Sequence, residues 1–262
     1  MNHRPRKRFG QHFLQDREIV RCIADAIDPR PGETIAEIGP GTGALTQALL
    51  ERGAIVQAVE IDRDLAAQLR ERFSGQPFTL HVADVLKFDL RTLGSAPRIV
   101  GNLPYNISTP LLFHIGAQLP GLVDGHFMLQ KEVVDRMAAQ PSSSDYGRLS
   151  VMIQYQFSAE KLFDVAPEAF HPPPKVESSV VRIRPLARPA ALVHDTVLFG
   201  ELVTRAFTQR RKMIRNALGS YLGDTAWSEV ALDPALRPEN LSVEDYARVA
   251  NYVARQRARD VG

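Results

Sequence analysis

Between residues 34 and 102 short apolar runs alternate with amphipathic segments, and each run is followed within two residues by a polar residue or a glycine. The runs T-I-A-E-I, I-V-Q-A-V-E-I, F-T-L-H-V and R-I-V are too short for helices, and most are rich in β-branched residues. Between them, apolar residues fall at helical spacing, as in Leu45, Ala48 and Leu49, stopped by Gly53, or in Leu65, Ala66, Leu69 and Phe73. Such alternation builds a parallel sheet covered on both faces, because parallel neighbours need long crossover connections and helices supply them. The expected fold is α/β with a doubly wound sheet. Ligands of these sheets bind beyond the carboxyl ends of the strands. Gly39, Glu60, Asp84 and Asn102 fall at successive strand ends, so one edge of the sheet should carry a site.

The flanking segments extend the pattern. Asp16 is placed to cap a helix with Ile19, Val20, Ile23, Ala24 and Ile27 on one face, closed by Asp28-Pro29, and Asp62 to cap the helix that follows Glu60. Ser108-Thr109-Pro110 supplies an N-cap and a first-turn proline for a helix over Leu111 to Ala117. Further strands are expected at H-F-M-L-Q and S-S-V-V-R-I, with Q-P-S-S-S-D a flexible surface loop. After Pro185 the pattern is helical, with Val203, Phe207, Ile214 and Leu218 on one stripe. The expected division is a catalytic domain over residues 1–186, opening with a basic arm, and a small all-helical domain over 187–262.

A chain of 262 residues with 44% hydrophobic content can bury a core. Cys22 is the one cysteine, which excludes an internal disulfide and a multi-cysteine metal site; we expect a buried, inert thiol and no metal. Nothing approaches the roughly 20 apolar residues of a membrane span, and the start lacks the apolar core of a signal peptide, so a soluble cytoplasmic monomer is expected. Net charge is +2, yet Arg4, Arg6, Lys7 and Arg8 form one basic cluster and Arg205, Arg210, Arg211, Lys212 and Arg215 a second. Either alone reads as a solvated face; two of them point to a polyanion such as RNA. On a continuous helix Thr204, Thr208, Arg211 and Arg215 would share a stripe beside the apolar one, leaving the cations free.

Two motifs bear on chemistry. In E-I-G-P-G-T-G-A, Gly39, Gly41 and Ala44 fit the dinucleotide turn G-x-G-x-x-G/A, with Glu60 at the distance where a carboxylate accepts from ribose hydroxyls. Gly39, Gly41 and Gly43 equally fit the G-x-G-x-G turn of an S-adenosylmethionine site, and the turn itself does not choose between a NAD-dependent oxidoreductase and a methyltransferase. Asn102-Leu103-Pro104-Tyr105 favours the second. The N6 lone pair of adenine is delocalised into the ring, so a methyltransferase must draw it out of conjugation. An amide oxygen and a backbone carbonyl do so by accepting both N6 hydrogens. Proline fixes the turn without donating, and Tyr105 offers a ring on which a base drawn from its stack can lie. Positioned dipoles then suffice, without a general base.

R-K-R-F-G-Q-H-F-L, E-I-G-P-G-T-G, N-L-P-Y-N-I-S-T-P-L-L-F, F-H-P-P-P-K-V-E-S and F-T-Q-R-R-K-M-I-R-N-A-L, in this order, resemble the small-subunit ribosomal RNA adenine dimethyltransferase family. The catalytic half is also similar to the erythromycin-resistance methyltransferases of large-subunit RNA and to non-catalytic relatives on the same fold. The resemblance implies a class I methyltransferase Rossmann-like fold and the cofactor S-adenosylmethionine. The implied reaction is dimethylation of two adjacent adenosines near the 3′ end of small-subunit (16S) RNA, in the immature small ribosomal subunit. It implies that His12 and Leu14 cover the cofactor's methionine part with Gly39, that Gly41 also binds the cofactor, that Glu60 holds the ribose and Asp84 the adenine amine, and that Asn102 borders both methyl and target. Many relatives carry Asn where His12 stands. Phe170, before Pro172 to Pro174, resembles the second base-stacking residue, with a core phenylalanine as the other reading. Arg6, Lys7, Arg8, Arg211, Lys212 and Arg215 are the expected RNA contacts.

Overall fold

The computed structural model describes residues 11–105, 107–223 and 225–261. They divide into two compact units: the described residues up to Val134 with Glu160–Pro185, and Asp135–Ala159 with the described residues from Leu186 onward.

The first unit opens with β1 (Phe13–Leu14) and α1 (Arg17–Ile27). The Asp16 carboxylate caps α1 by accepting from the backbone N–H groups of Glu18 (2.8 Å) and Ile19 (3.1 Å), and Asp28 ends it in the left-handed region at φ 49°. Val20, Ile23, Ala24 and Ile27 are buried; each large aliphatic side chain so buried contributes about 1.5–3 kcal/mol. Cys22 is only partly buried, because it lies beside rather than on this stripe.

Then follow β2 (Thr34–Ile38), α2 (Ala44–Glu51), β3 (Ile55–Glu60), α3 (Arg63–Arg72), β4 (Phe78–Val82), β5 (Arg98–Asn102), α4 (Ser108–Gln118), β6 (Asp124–Gln130) and α5 (Lys131–Ala138). The expected N-cap at Ser108 is corrected: Ser108 is already helical and buried, Ile107 precedes it, and the Ser108 hydroxyl donates to the Tyr105 carbonyl at 3.0 Å. Pro110 remains in the first turn, where no N–H is required. After β7 (Phe157–Val165), β8 (Phe170–His171) pairs with β1, and β9 (Ser178–Pro185) closes the unit.

Among the described residues the main sheet has seven strands, in the order β4-β3-β2-β5-β6-β9-β7. β4, β3, β2, β5 and β6 run parallel, and β9 is antiparallel to β6. β2 is central, and Ile35 through Ile38 are all buried, as a strand covered on both faces requires. The chain moves outward from β2 through β3 to β4, then returns to place β5 on the other side of β2. That reversal is the switch point beside which doubly wound sheets bind ligands. At the opposite end of β5, Arg98 donates to both carboxylate oxygens of Asp124 (2.9 Å each) and to Glu33 (3.0 Å), tying the sheet to the start of β2.

The second unit holds α6 (Arg148–Gln154), α7 (Thr196–Thr208), α8 (Ile214–Leu218), α9 (Ala226–Glu229) and α10 (Val243–Val261). A single cut near residue 186 therefore does not describe the chain, because residues 135–159 belong here. Tyr146, Val151 and Tyr155 join Leu198, Phe199 and Leu202 in one apolar cluster, with the Tyr155 and Phe199 rings 4.9 Å apart. The continuous helix through Arg211 is also corrected. α7 stops at Thr208, Lys212 N–H closes a turn on the Gln209 carbonyl at 2.8 Å, and Ile214 N–H donates to the Leu236 carbonyl at 2.6 Å. Val203, Ile214 and Leu218 are nevertheless buried together, so the apolar stripe is kept while the helix is broken.

Two glycines make the packing testable. A Cβ at Gly101 would lie 2.5 Å from the Ile38 carbonyl oxygen, main chain of the central strand that cannot turn aside, whereas one at Gly200, inside α7, would meet nothing nearer than Met152 Cε at 3.6 Å. Gly101→Ala should destabilise the fold by about 1–3 kcal/mol in denaturant unfolding. Gly200→Ala should raise stability by roughly 0.5–1 kcal/mol.

Candidate active site

Adjacent strands in the order β4, β3, β2, β5 place Asp84, Glu60, Gly39 and Asn102 side by side along the carboxyl edge of the sheet. All four line a cavity of about 280 Å³, with His12 and Tyr105 also on its wall. The edge expected from the alternation of strands and helices is the edge that carries the cavity.

The glycine turn is shaped by backbone that few other residues adopt: Gly39, Gly41 and Gly43 have φ of 65°, 59° and 83°. Gly39 N–H donates to the Val59 carbonyl at 2.9 Å, fastening the turn to β3. Gly41 N–H points at Glu60 Oε2 (3.3 Å), and Asp62 N–H donates to Glu60 Oε1 (2.8 Å). The Glu60 carboxylate is thus oriented by two main-chain donors. Burial pushes its pKa above the usual carboxylate range, and those two donors oppose the shift. Asp62 caps α3 through Asp64 N–H, as expected, and also accepts from Gln11 Nε2 at 3.3 Å.

N-L-P-Y begins on Asn102, the last residue of β5. Leu103 N–H donates to the Met128 carbonyl (3.1 Å), Ile107 N–H to the Pro104 carbonyl (3.1 Å), and Asn102 Nδ2 to the His12 carbonyl (2.9 Å). With its nitrogen held there, the Asn102 amide keeps Oδ1 as its acceptor. His12 Nδ1–H donates to the Pro172 carbonyl at 2.7 Å, and its ring lies 6.0 Å from that of Tyr105 with the planes 24° apart. Gln11 and His12 thereby tie the start of the described chain to β5, α3 and the segment after β8.

Other expected residues lie elsewhere. Leu14 pairs with Phe170 across β1 and β8 and lines a separate chamber of about 40 Å³, together with Glu37, Gly39, Asn102 and His126. Gly41 lines neither space and packs on Phe13, whose Cδ1 would be 3.1 Å from an added Cβ. Phe170 is 4% exposed in an apolar cluster with Leu14, Val20 and Ile23, and does not line the cavity. Its pairing with Leu14 turns the ring inward, which is the core reading. Arg211 and Lys212 are exposed in the turn after α7, and Arg215 is exposed on α8. Arg6, Lys7 and Arg8 lie outside the described residues. Cavity residues that sequence reasoning missed include Gln11, Ile61 and Leu86; the first two sit next to His12 and Glu60, and that adjacency was the available signal. Among the described residues no group of three or more His, Cys, Asp or Glu is placed to hold a metal.

The ribosomal RNA adenine dimethylase family model matches residues 2–255. The chain belongs to the ribosomal RNA adenine dimethylase family. Ribosomal RNA small subunit methyltransferase A of Aromatoleum aromaticum is 54% identical over 96% of this chain and 95% of its own length, and that of Nitrosospira multiformis 53% identical over 98% and 100%. Among solved structures, the 23S rRNA methyltransferase ErmE is 27% identical with a TM-score of 0.71 over 92% of this chain and 99% of that one. A dimethyladenosine transferase from Plasmodium falciparum, 23% identical with a TM-score of 0.78 over 94% and 98%, shares the fold. The dimethylase is a class I methyltransferase, drawing its methyl group from S-adenosylmethionine.

The residues present fit that cofactor. A Cβ at Gly39 would meet only the Asn102 carbonyl oxygen, at 3.9 Å, so the main chain there borders open cavity that a ligand can approach closely. The buried Glu60 carboxylate has lone pairs beyond the two used by Gly41 and Asp62, which suits it to accept from ribose hydroxyls.

On the wall of the smaller chamber, Glu37 is 2% exposed and accepts from the Thr46 hydroxyl at 2.6 Å; burial pushes its pKa from 4.5 up to about 7. A carboxyl with a raised folded pKa contributes stability that is full below the unfolded value and is lost as pH rises through the folded one. Between pH 4.5 and about 7 this group's contribution should therefore decline, by on the order of 3 kcal/mol. Glu37→Gln keeps an acceptor for Thr46, so in urea unfolding at stepped pH its stability relative to the parent should rise across that window. A difference independent of pH would show that the fold does not oppose ionisation of Glu37.

Proposed function

We propose that this dimethylase transfers two methyl groups in turn to N6 of each of two adjacent adenosines in the 3′-terminal loop of small-subunit ribosomal RNA. It acts as a cytoplasmic monomer on the immature subunit. The observation that carries the reading is the Asn102 amide, held by the His12 carbonyl with Oδ1 as its acceptor beside Gly39. S-adenosylmethionine supplies an electrophilic methyl group on a sulfonium. Asn102 Oδ1 and the main-chain carbonyl of Leu103 or Pro104 accept the two N6 hydrogens, drawing the nitrogen lone pair out of the ring and toward that methyl. Held by those two acceptors, N6 would receive the methyl group that the bound cofactor supplies, and its proton would pass to water.

Glu60 takes the ribose hydroxyls, Asp84 the cofactor's adenine amine, and His12 covers the methionine end. Of the two aromatic residues expected against the target base, Tyr105 lines the cavity and Phe170 does not, so Tyr105 takes the stacking role. Identity of 54% to a small-subunit methyltransferase, against 27% to the 23S enzyme ErmE, supports the small-subunit target. The exposed cations Arg211, Lys212 and Arg215 meet RNA phosphates, as Arg6, Lys7 and Arg8 do from the arm. Arg210 is set apart by its engagement with Glu239 and the Ser144 carbonyl.

Methylation of naked small-subunit RNA, assembled small subunits and large subunits, compared side by side, tests the substrate; turnover confined to large-subunit RNA would overturn it. Glu60→Ala should weaken S-adenosylmethionine binding by about 1–3 kcal/mol in titration calorimetry, and unchanged affinity would remove Glu60 from the site. Arg211→Ala with Arg215→Ala should flatten the salt dependence of RNA binding by up to about 0.9 per lost phosphate contact on a duplex. Cofactor affinity should not move, and parallel salt lines for parent and double variant would exclude this helix turn from RNA docking.

A further inference from the structure

A phenylalanine would stack on a base as well as a tyrosine does, so the phenol oxygen at position 105 needs a reason of its own. Tyr105 Oη and Ser178 Oγ are hydrogen-bonded at 2.8 Å. Ser178 has no exposed surface, opens β9 and sits in register with Gln130 of β6. One residue along, Lys131 N–H donates to the Glu177 carbonyl at 3.0 Å, so this corner of the sheet is held by main chain on both strands. Tyr105 stands instead in a loop. Ser108 fixes its carbonyl and the His12 ring lies across from its own, but neither contact holds the far end of the ring. A tyrosine ring moves by rotation about χ1 and χ2; a bond at its tip to a rigid strand removes that freedom. Burial raises the phenol's pKa, so at neutral pH the pair is two neutral hydroxyls.

We propose that Ser178 is a positioning residue for methyl transfer, whose hydroxyl fixes the plane of the Tyr105 ring against which the target adenine lies and so keeps N6 in line with the methyl group. The inference rests on the base-stacking reading of Tyr105. It also explains why the motif F-H-P-P-P-K-V-E-S ends on a serine: that residue faces the N-L-P-Y loop from the neighbouring part of the sheet. In a displacement that needs its reacting atoms aligned, a misplacement of about 1 Å can cost on the order of a hundredfold in rate, so loosening one wall of the slot should cost on the order of tenfold.

The test uses the full chain with S-adenosylmethionine and unmethylated small-subunit RNA. Ser178→Ala and Tyr105→Phe each delete one end of the bond while sparing nearly all of the packing. Each should lower kcat on the order of tenfold while KM for S-adenosylmethionine stays within about twofold. The double variant should be no slower than either single one, because both remove the same interaction. Ser178→Thr, which keeps a hydroxyl, should regain most of the rate. Parental turnover in Ser178→Ala would overturn the proposal, as would losses that multiply in the double variant, or a fall in kcat matched by equal loss of cofactor affinity and thermal stability. Tyr105→Ala distinguishes the two levels. Parental turnover there removes the stacking reading and Ser178's role with it, whereas an inactive Tyr105→Ala beside a parental Ser178→Ala removes Ser178 alone.

Discussion

Strand order reverses where β2 meets β5, and the carboxyl edge of the sheet depends on how closely those two strands approach. The chain leaves β2 in one direction through β3 and β4 and returns to lay β5 on its other side, so the connections after β2 and β5 depart in opposite directions and leave a crevice between them. Gly39, just beyond β2, and Asn102, the last residue of β5, flank that crevice. The strands come so near that Gly101 has no room for a side chain against the Ile38 carbonyl. Everything placed on the edge takes its position from this contact: the glycine turn fastened to β3, the N-L-P-Y loop fastened to β6, and the amide between them.

The edge is built over ionisable groups whose charged forms burial disfavours. Glu37 and Glu60 both have raised pKa values, and His126, 2% exposed, is lowered to about 4 chiefly by burial, with Arg98 and Arg182 adding to the shift and Asp124 opposing it. Neither ring nitrogen of His126 has a hydrogen-bonding partner among the described residues. Polar groups withdrawn from water in this way cost stability. The surrounding core offsets it: Ile35, Leu49, Val56 and Val100 are wholly buried in one cluster. A carboxyl group in such a low-dielectric setting forms stronger hydrogen bonds than an exposed one does.

Much of the site was legible before any coordinates, for a local reason. A strand in a parallel sheet announces itself by a short apolar run, and its carboxyl end by the first polar residue or glycine after it, so Gly39, Glu60, Asp84 and Asn102 could be set on one edge from spacing alone. Asp16 and Asp62 were legible as caps because capping involves residues two or three apart. Apart from the start of α4, where Ser108 bonds back to Tyr105 only three residues away, the placements that differed involve partners distant in sequence. Phe170 reads as a ring at a site mouth until β8 pairs with β1 and turns it into the core beside Leu14. Val203, Phe207, Ile214 and Leu218 keep a helical period across a break made by residues far along the chain, since Leu236 takes the N–H of Ile214 and Glu239 takes Arg210. Residues 135–159 leave the sheet unit because Tyr146, Val151 and Tyr155 have apolar partners on α7.

By itself, then, the sequence determined the class of sheet, the edge that carries chemistry and the residues standing on it, since those follow from the periodicity of short segments and from the one-way order of parallel strands. Tertiary structure decided which atoms of those residues are free to act. The amide of Asn102 has two ends, and only the carbonyl of His12, ninety residues away in the chain, determines which faces the cavity. The phenol of Tyr105 is likewise oriented by Ser178, brought to it by pairing between β6 and β9. Hydrogen bonds between distant segments leave no period in the sequence, because the partners meet only after the sheet has formed.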